Sequence, residues 1–143
     1  NVGAQVLDVL AKPEELDISE AEVIVAVGRG VKDEAGLRLA KKLADILGAQ
    51  LACTRPMVEN GRFDPRRQIG LSGRTVKPKL IVTIGVSGAV QFAAGMDKSE
   101  YIISINSDPE ASIFNISHVG LVGDLYEVLP AFIEKIEREG LVR

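Results

Sequence analysis

Apolar residues follow two different periods along this chain. Short unbroken apolar runs occur at Val23 to Val27 (VIVAV), Gln50 to Thr54 (QLACT), Leu80 to Ile84 (LIVTI) and Tyr101 to Ile105 (YIISI). Runs of that length without alternation predict strands buried on both faces. A weaker run over Ile113 to Val122 (IFNISHVGLV) predicts a short strand between turns. Elsewhere the period is helical. Asp33 caps a helix with Leu37, Leu39, Ala40, Leu43, Ala44, Ile46 and Leu47 on its apolar face, and Gly48 ends it. A last helix spans about Asp124 to Glu139, where Pro130 predicts a kink or restart. The stretch Leu80 to Gly95 (LIVTIGVSGAVQFAAG) joins a strand, a turn of small residues and a helix start.

Strand, glycine turn, helix and strand in succession form the βαβ pattern. The expected fold is therefore α/β: a doubly wound, mostly parallel sheet with helices on both faces, Rossmann-like. Residues 1–20 show no sustained period and read as a linker or arm packed on the domain, with a short helical attempt after Pro13. Residues 21–143 form the domain. Between Arg55 and Lys79 periodicity is lost in a segment with three prolines, three glycines and seven basic residues. A loop this long in a compact domain is functional or disordered. Met57, Val58, Phe63, Ile69 and Leu71 argue for an ordered loop with packed anchors, including a short strand at Gln68 to Gly70.

At 143 residues the chain is long enough for one domain with its own core. Aromatics are only 4% with no Trp, so Val, Ile, Leu and Ala must fill that core. The 17 Lys and Arg against 20 Asp and Glu give no reason for nucleic-acid binding. The single cysteine, Cys53, excludes an internal disulfide framework and a Cys-based zinc site, and fits a reducing, cytoplasmic setting. No apolar run approaches the roughly 20 residues of a membrane span, so no membrane insertion is expected. The chain begins at Asn1 without Met, which reads as a processed chain or an excised fragment.

Two glycine turns, Gly28-Arg29-Gly30 and Gly85-Val86-Ser87-Gly88, each lie between a strand and a helix, where a phosphate can approach the backbone. Neither matches GxGxxG or GxxxxGK[ST], and tight packing alone would also call for glycine. Two such turns at one sheet edge suit a long diphosphate-linked ligand. Arg55, directly after a strand, places a guanidinium at the same edge, for a phosphate or an aromatic ring. Asn106 and Asp124 can accept from ribose hydroxyls, or serve as turn former and helix cap. His118 and Cys53 lie in no nucleophile elbow, so a core or supporting role is expected for both. No cluster has metal-ligand spacing.

The segment GRGVKDEAGLRLAKKLADILGAQLACTRPMVENG, followed by QIGLSGRTVKPKLIVTIGVSGAVQFAAGMDKSEYIISINSDPEASIFNISHVGLVGDLYEVLP, resembles the carboxyl-terminal domain of the electron transfer flavoprotein alpha subunit. The similarity runs from about Val23 to Pro130. It implies a DHS-like NAD/FAD-binding domain that holds FAD, paired with an electron transfer flavoprotein beta subunit, and a larger amino-terminal domain outside this sequence. The implied role is that of a carrier, not a substrate-converting enzyme. It would take electrons from a flavin dehydrogenase and pass them to a downstream electron acceptor, in the cytoplasm or, in a eukaryote, the mitochondrial matrix.

The resemblance also implies FAD contacts at Arg29, at Thr54 and Arg55, and at Ile69, Gly70, Leu71 and Ser72. Further contacts fall on Ser87, Gly88, Ala89, Val90, Gln91 and Phe92, on Asn106, and on Asp124 with Leu125. Arg55 would sit by the isoalloxazine and raise its potential. Ser72 would offer a hydroxyl to the flavin N5 side. Ser87 to Ala89 would cradle the diphosphate, and Asn106 and Asp124 would hold the adenosine end. Four positions depart from the family pattern. Leu71 stands in place of the Gln of QTG, and Phe92 in place of the histidine of SGAIQH. Ser112 and His118 stand where Pro and Asp are usual. Losing an imidazole donor at Phe92 should weaken stabilisation of a negatively charged flavin. The main alternative is an NAD- or AMP-binding module of the same fold with a structural or regulatory role. An NAD-using transferase is a third reading, and it lacks a well-placed Lys or His.

Overall fold

The computed structural model describes residues 17–139. Five strands, β1 (Val23–Val27), β2 (Gln50–Cys53), β3 (Leu80–Ile84), β4 (Tyr101–Asn106) and β5 (Val119–Val122), form one sheet in the order β2-β1-β3-β4-β5. Every pairing is parallel. Parallel strands need crossovers, and these carry the helices to the two faces.

Alternation along each strand sorts the core in two. Val25, Val27, Val82, Ile84 and Ile105 face α1 (Glu34–Leu47) and α4 (Leu125–Arg138), which add Leu43, Leu129 and Ile133. Ile24, Ala26, Ile81 and Ile102 face the other side, packed with Ile69, Val76, Ile113 and the residues Phe92 and Met96 of α3 (Val90–Met96). Helix α1 begins where the Asp33 side chain accepts from Gly36 N, and ends at Gly48 in the left-handed region, φ 67°. The Asp124 side chain starts α4 in the same way by accepting from Tyr126 N.

The long segment after β2 is ordered, and it differs from the expected loop. It opens with a short helix, α2 (Arg55–Glu59), and a 3-10 turn at Pro65–Arg67. The expected strand at Gln68 to Gly70 is reduced to isolated bridges, Cys53 with Gln68 and Ile69 with Arg74. Met57 and Ile69 are buried as anchors, but Leu71 is 64% exposed and anchors nothing. The run from Ile113 is strand only from Val119. Ser112–Ile116 is a 3-10 helix, because Ile113 N donates to Ser87 O and Ser117 Oγ donates to Ile113 O, which bends the chain away from the sheet. Helix α4 runs through Pro130 without the expected restart. The expected helical attempt after Pro13 begins outside the described residues. Residues 17–20 include a 3-10 turn at Ile18–Glu20 whose Ile18 is buried in the core.

Candidate functional site

In this strand order the chain reverses direction across the sheet between β1 and β3. A crevice opens there at the carboxyl ends of the strands, the usual ligand position in open α/β sheets. The two glycine turns meet at that point, and they do different work. Gly28 N donates to Ile84 O and Gly30 N to Gly85 O, both at 2.9 Å. A Cβ on Gly28 would lie 2.5 Å from Gly85 O. The glycines of the first turn therefore serve close packing against the second, and their amides are spent on it. What the first turn offers a ligand is the exposed Arg29 side chain.

The second turn has free amides. Among the described residues, no backbone acceptor takes the N–H groups of residues 87–92, and the first bond of α3 is Ala93 N to Ala89 O at 2.9 Å. Such a run of donors at a helix start is an anion cradle. Gly88, at φ 96°, shapes it: a Cβ there would lie 2.3 Å from Ile113 N. That close approach brings Ser112 to one side of the cleft.

The cleft has a volume of about 980 Å³, at the upper end of small-molecule sites. Its lining brings together Arg29, Thr54, Arg55, Ile69, Gly70, Ser72, Ser87, Gly88, Ala89, Gln91, Phe92 and Asn106 from the expected set. Leu71, Val90, Asp124 and Leu125 are not in it. Leu71 and Val90 project to solvent beside it, 64% and 78% exposed. The Asp124 carboxylate caps α4, and Leu125 is buried in the core on the α4 side. Sequence reasoning missed Lys32, Gln68, Asp108, Glu110 and the wall residue Ala111, whose places depend on loop folding.

The cleft is charged unevenly. Arg29, Lys32 and Arg55 stand toward β1 and β2, while Asp108 and Glu110 stand on the loop after β4. Arg55 Nε pairs with Glu59 Oε2 at 3.0 Å, with both side chains exposed. An exposed pair of this kind is worth about 0–1 kcal/mol, so a ligand can redirect the guanidinium. Asn106 is held at both ends: its Nδ2 donates to Val86 O at 2.8 Å and its Oδ1 accepts from Asp108 N at 2.9 Å.

The other singled-out residues lie elsewhere. Cys53 is buried behind the cleft wall, and burial pushes its thiol up to about 12, with Arg67 opposing weakly. His118 lies at the amino edge of the sheet, opposite the cleft, and is exposed rather than in the core. Its Nδ1 accepts from Ile102 N at 2.9 Å, and its ring stacks on Tyr101 at 4.8 Å. Among the described residues no group of His, Cys, Asp and Glu could hold a metal. No helix there is long and apolar enough to cross a membrane.

One orphaned group in the cleft lining fits a ligand there. Thr54 is only 9% exposed, lines the cleft and begins α2, yet its Oγ1 has no hydrogen-bond partner and does not cap that helix. A buried hydroxyl in this state costs about 1–3 kcal/mol until something satisfies it. Together with the amide cradle and the cleft's volume, it points to a nucleotide-binding α/β domain suited to a diphosphate-linked group.

Comparison with known proteins makes this specific. The model of the electron transfer flavoprotein FAD-binding domain matches residues 17–97. Subunit LctC of the NAD+- and ferredoxin-dependent lactate dehydrogenase of Acetobacterium woodii is 63% identical over 133 residues, covering 93% of this chain and 32% of that protein. The electron transfer flavoprotein alpha subunit of Bacillus subtilis is 45% identical over 123 residues, covering 86% of this chain and 38% of that one. The probable mitochondrial alpha subunit of Saccharomyces cerevisiae is 46% identical over 129 residues, covering 90% and 38%. The chain belongs to the electron transfer flavoprotein FAD-binding domain family, and FAD is its cofactor. An NAD or AMP module is not favoured. The chain spans about a third of the length of these relatives.

Proposed function

We propose that this domain holds FAD across the carboxyl edge of its sheet and works as the electron carrier of an alpha subunit paired with a beta subunit. It would receive electrons from a flavin dehydrogenase and deliver them to a downstream acceptor, in the cytoplasm or a mitochondrial matrix. The observation that carries this reading is the cleft itself: free amides in its middle, cations at one end and acceptors at the other. Bound FAD supplies the electron-accepting ring. The chain's residues bind and tune it.

In this arrangement Ser87, Gly88 and Ala89 donate backbone N–H groups to the diphosphate, and Arg29 and Lys32 offset its charge. Thr54, Arg55, Ile69, Gly70 and Ser72 would hold the isoalloxazine end beside Phe92, with Leu71 on the solvent side. Asp108 and Glu110 stand near the adenosine end, where carboxylates accept from ribose hydroxyls and repel phosphate, which favours a single orientation. Asn106 acts mainly by shaping the turn. Asp124, after β5 and one strand further along the same edge, would extend the adenosine end, with Leu125 packed in the core beneath it. The 63% identity to a lactate dehydrogenase subunit supports a dehydrogenase partner for a 2-hydroxy acid, with this domain as its electron relay.

The test is the absorption spectrum of the alpha–beta complex. The expected result is a yellow protein, with Arg55→Ala lowering the flavin potential by the equivalent of about 1 kcal/mol, the value of one charge near 4 Å in a solvated site. A complex that stays colourless after incubation with FAD sinks the proposal.

A further inference from the structure

Ser72 lies on the loop side of the cleft, and among the described residues one side chain holds its hydroxyl. The Gln68 Nε2 donates to Ser72 Oγ at 3.1 Å. A hydroxyl has one proton and two lone pairs. With one lone pair taken by a donor, the proton turns away from that donor and is free to point into the cleft that Ser72 lines.

Gln68 is built to impose this order. It is 9% exposed, so its side chain has little freedom. Its N–H donates to Pro65 O at 3.1 Å, and its carbonyl accepts from Arg74 N at 2.9 Å. The next residue is tied to β2 by Ile69 N to Cys53 O at 2.9 Å. The turn bearing Ser72 closes with Gly73 N donating to Gly70 O at 3.1 Å, and a Cβ on Gly73 would lie 2.5 Å from the Gln68 carbonyl oxygen. The serine can fold back over the glutamine this tightly because position 73 has no side chain. Beyond the turn, Arg74 Nε pairs with Asp17 Oδ1 at 3.1 Å.

We propose that Gln68 is a positioning residue that fixes Ser72 as a hydrogen-bond donor toward the bound flavin ring. The proposal rests on the FAD reading above. Hydrogen bonds to charged acceptors are roughly twice as strong as those between neutral groups. A donor held in place therefore stabilises the ring more after it takes an electron from the donor flavoprotein than before, which raises its potential. Gln68 also lines the cleft, and the role proposed for it is exerted through Ser72.

The test uses the FAD-loaded alpha–beta complex with Gln68→Leu, Gln68→Glu, Ser72→Ala and the Gln68→Leu/Ser72→Ala double variant. The first-electron potential is read by spectroelectrochemistry. An ionised Glu keeps the size of Gln but only accepts, so it draws the Ser72 proton back from the cleft. Each single variant is expected to shift the one-electron equilibrium about tenfold toward oxidised flavin, about 59 mV. The double variant should fall no lower than the singles, since Gln68 acts only through Ser72. Additive losses, or a wild-type potential in Gln68→Glu, overturn the proposal. Should Gln68→Leu fail to fold, Gln68→Glu with and without Ser72→Ala decides: the added charge acts in both backgrounds, so a shift that shrinks when Ser72 is replaced supports the proposal and an equal shift in both overturns it. A wild-type complex that takes up no flavin overturns the FAD reading and this proposal with it, whereas a loaded wild type with additive variants overturns this proposal alone.

Discussion

Asp33 does two jobs with one oxygen. Its Oδ1 accepts from Gly36 N at 3.0 Å as the cap of α1, and from the Tyr126 hydroxyl at 2.6 Å in the first turn of α4. The Tyr126 hydroxyl is the larger influence holding the Asp33 carboxyl below its ordinary value, with the Gly36 amide next. The same bond holds the Tyr126 phenol above its ordinary value. The signs follow from linkage. A lowered carboxylate contributes stability that is present at neutral pH and lost as pH falls through its folded value. A raised phenol contributes stability that is present below the ordinary phenol range and lost as pH rises through its folded value. Tyr126→Phe is therefore expected to move the Asp33 carboxyl back up, seen in a carbon-detected NMR titration. The stability gap between wild type and variant should narrow in acid. An Asp33 titration unchanged by the substitution would refute this coupling.

The elements differ in how far the sequence announces them. Strands β1 to β4 and helices α1 and α4 are legible because each is specified by its own period and caps: continuous apolar runs for buried parallel strands, and Asp33, Gly48 and Asp124 at helix ends. The segments that wall the cleft are not legible, because long-range backbone bonds give them their shape. Leu71 N reaches Gln91 O, Val76 N reaches Gly95 O, and Ile113 N reaches Ser87 O. No local pattern encodes such bonds, so α2 and the Ser112–Ile116 turn went unforeseen. The site shows the same division. Arg55 is legible from its place after a strand, whereas Gln68 gains meaning only from its contact with Ser72. The bond from Ile113 to Ser87 also sets a test at this scale. Gly88→Ala combines an unfavourable φ of 96° with a Cβ 2.3 Å from Ile113 N. It should cost about 1–3 kcal/mol in thermal unfolding and weaken FAD binding by loosening the wall against the cradle. Wild-type stability and FAD affinity in that variant would show that the wall yields freely.

At the scale of the whole molecule, the cofactor site and the core share a wall, and the one cysteine reports on it. Cys53 ends β2, is fully buried, and its carbonyl accepts from Ile69 N of the cleft loop. Burial raises its thiol from an ordinary 9.0 to about 12. The neutral thiol thus stabilises the fold below the ordinary value, and that contribution is lost as pH rises from about 9 toward 12. Near pH 8 the folded protein should resist thiol reagents, because attack needs thiolate and access. Labelling must then pass through an opening that parts β2 from the loop and dismantles the cleft. A ligand bound only to the closed form suppresses such openings in proportion to its saturation. FAD at about 100 times its dissociation constant should therefore slow Cys53 labelling about hundredfold in the alpha–beta complex, followed by mass spectrometry of the peptide that contains it. Were FAD to leave the rate unchanged, Cys53 would be reached by a smaller opening that spares the cleft, and the shared wall would not be a cooperative unit.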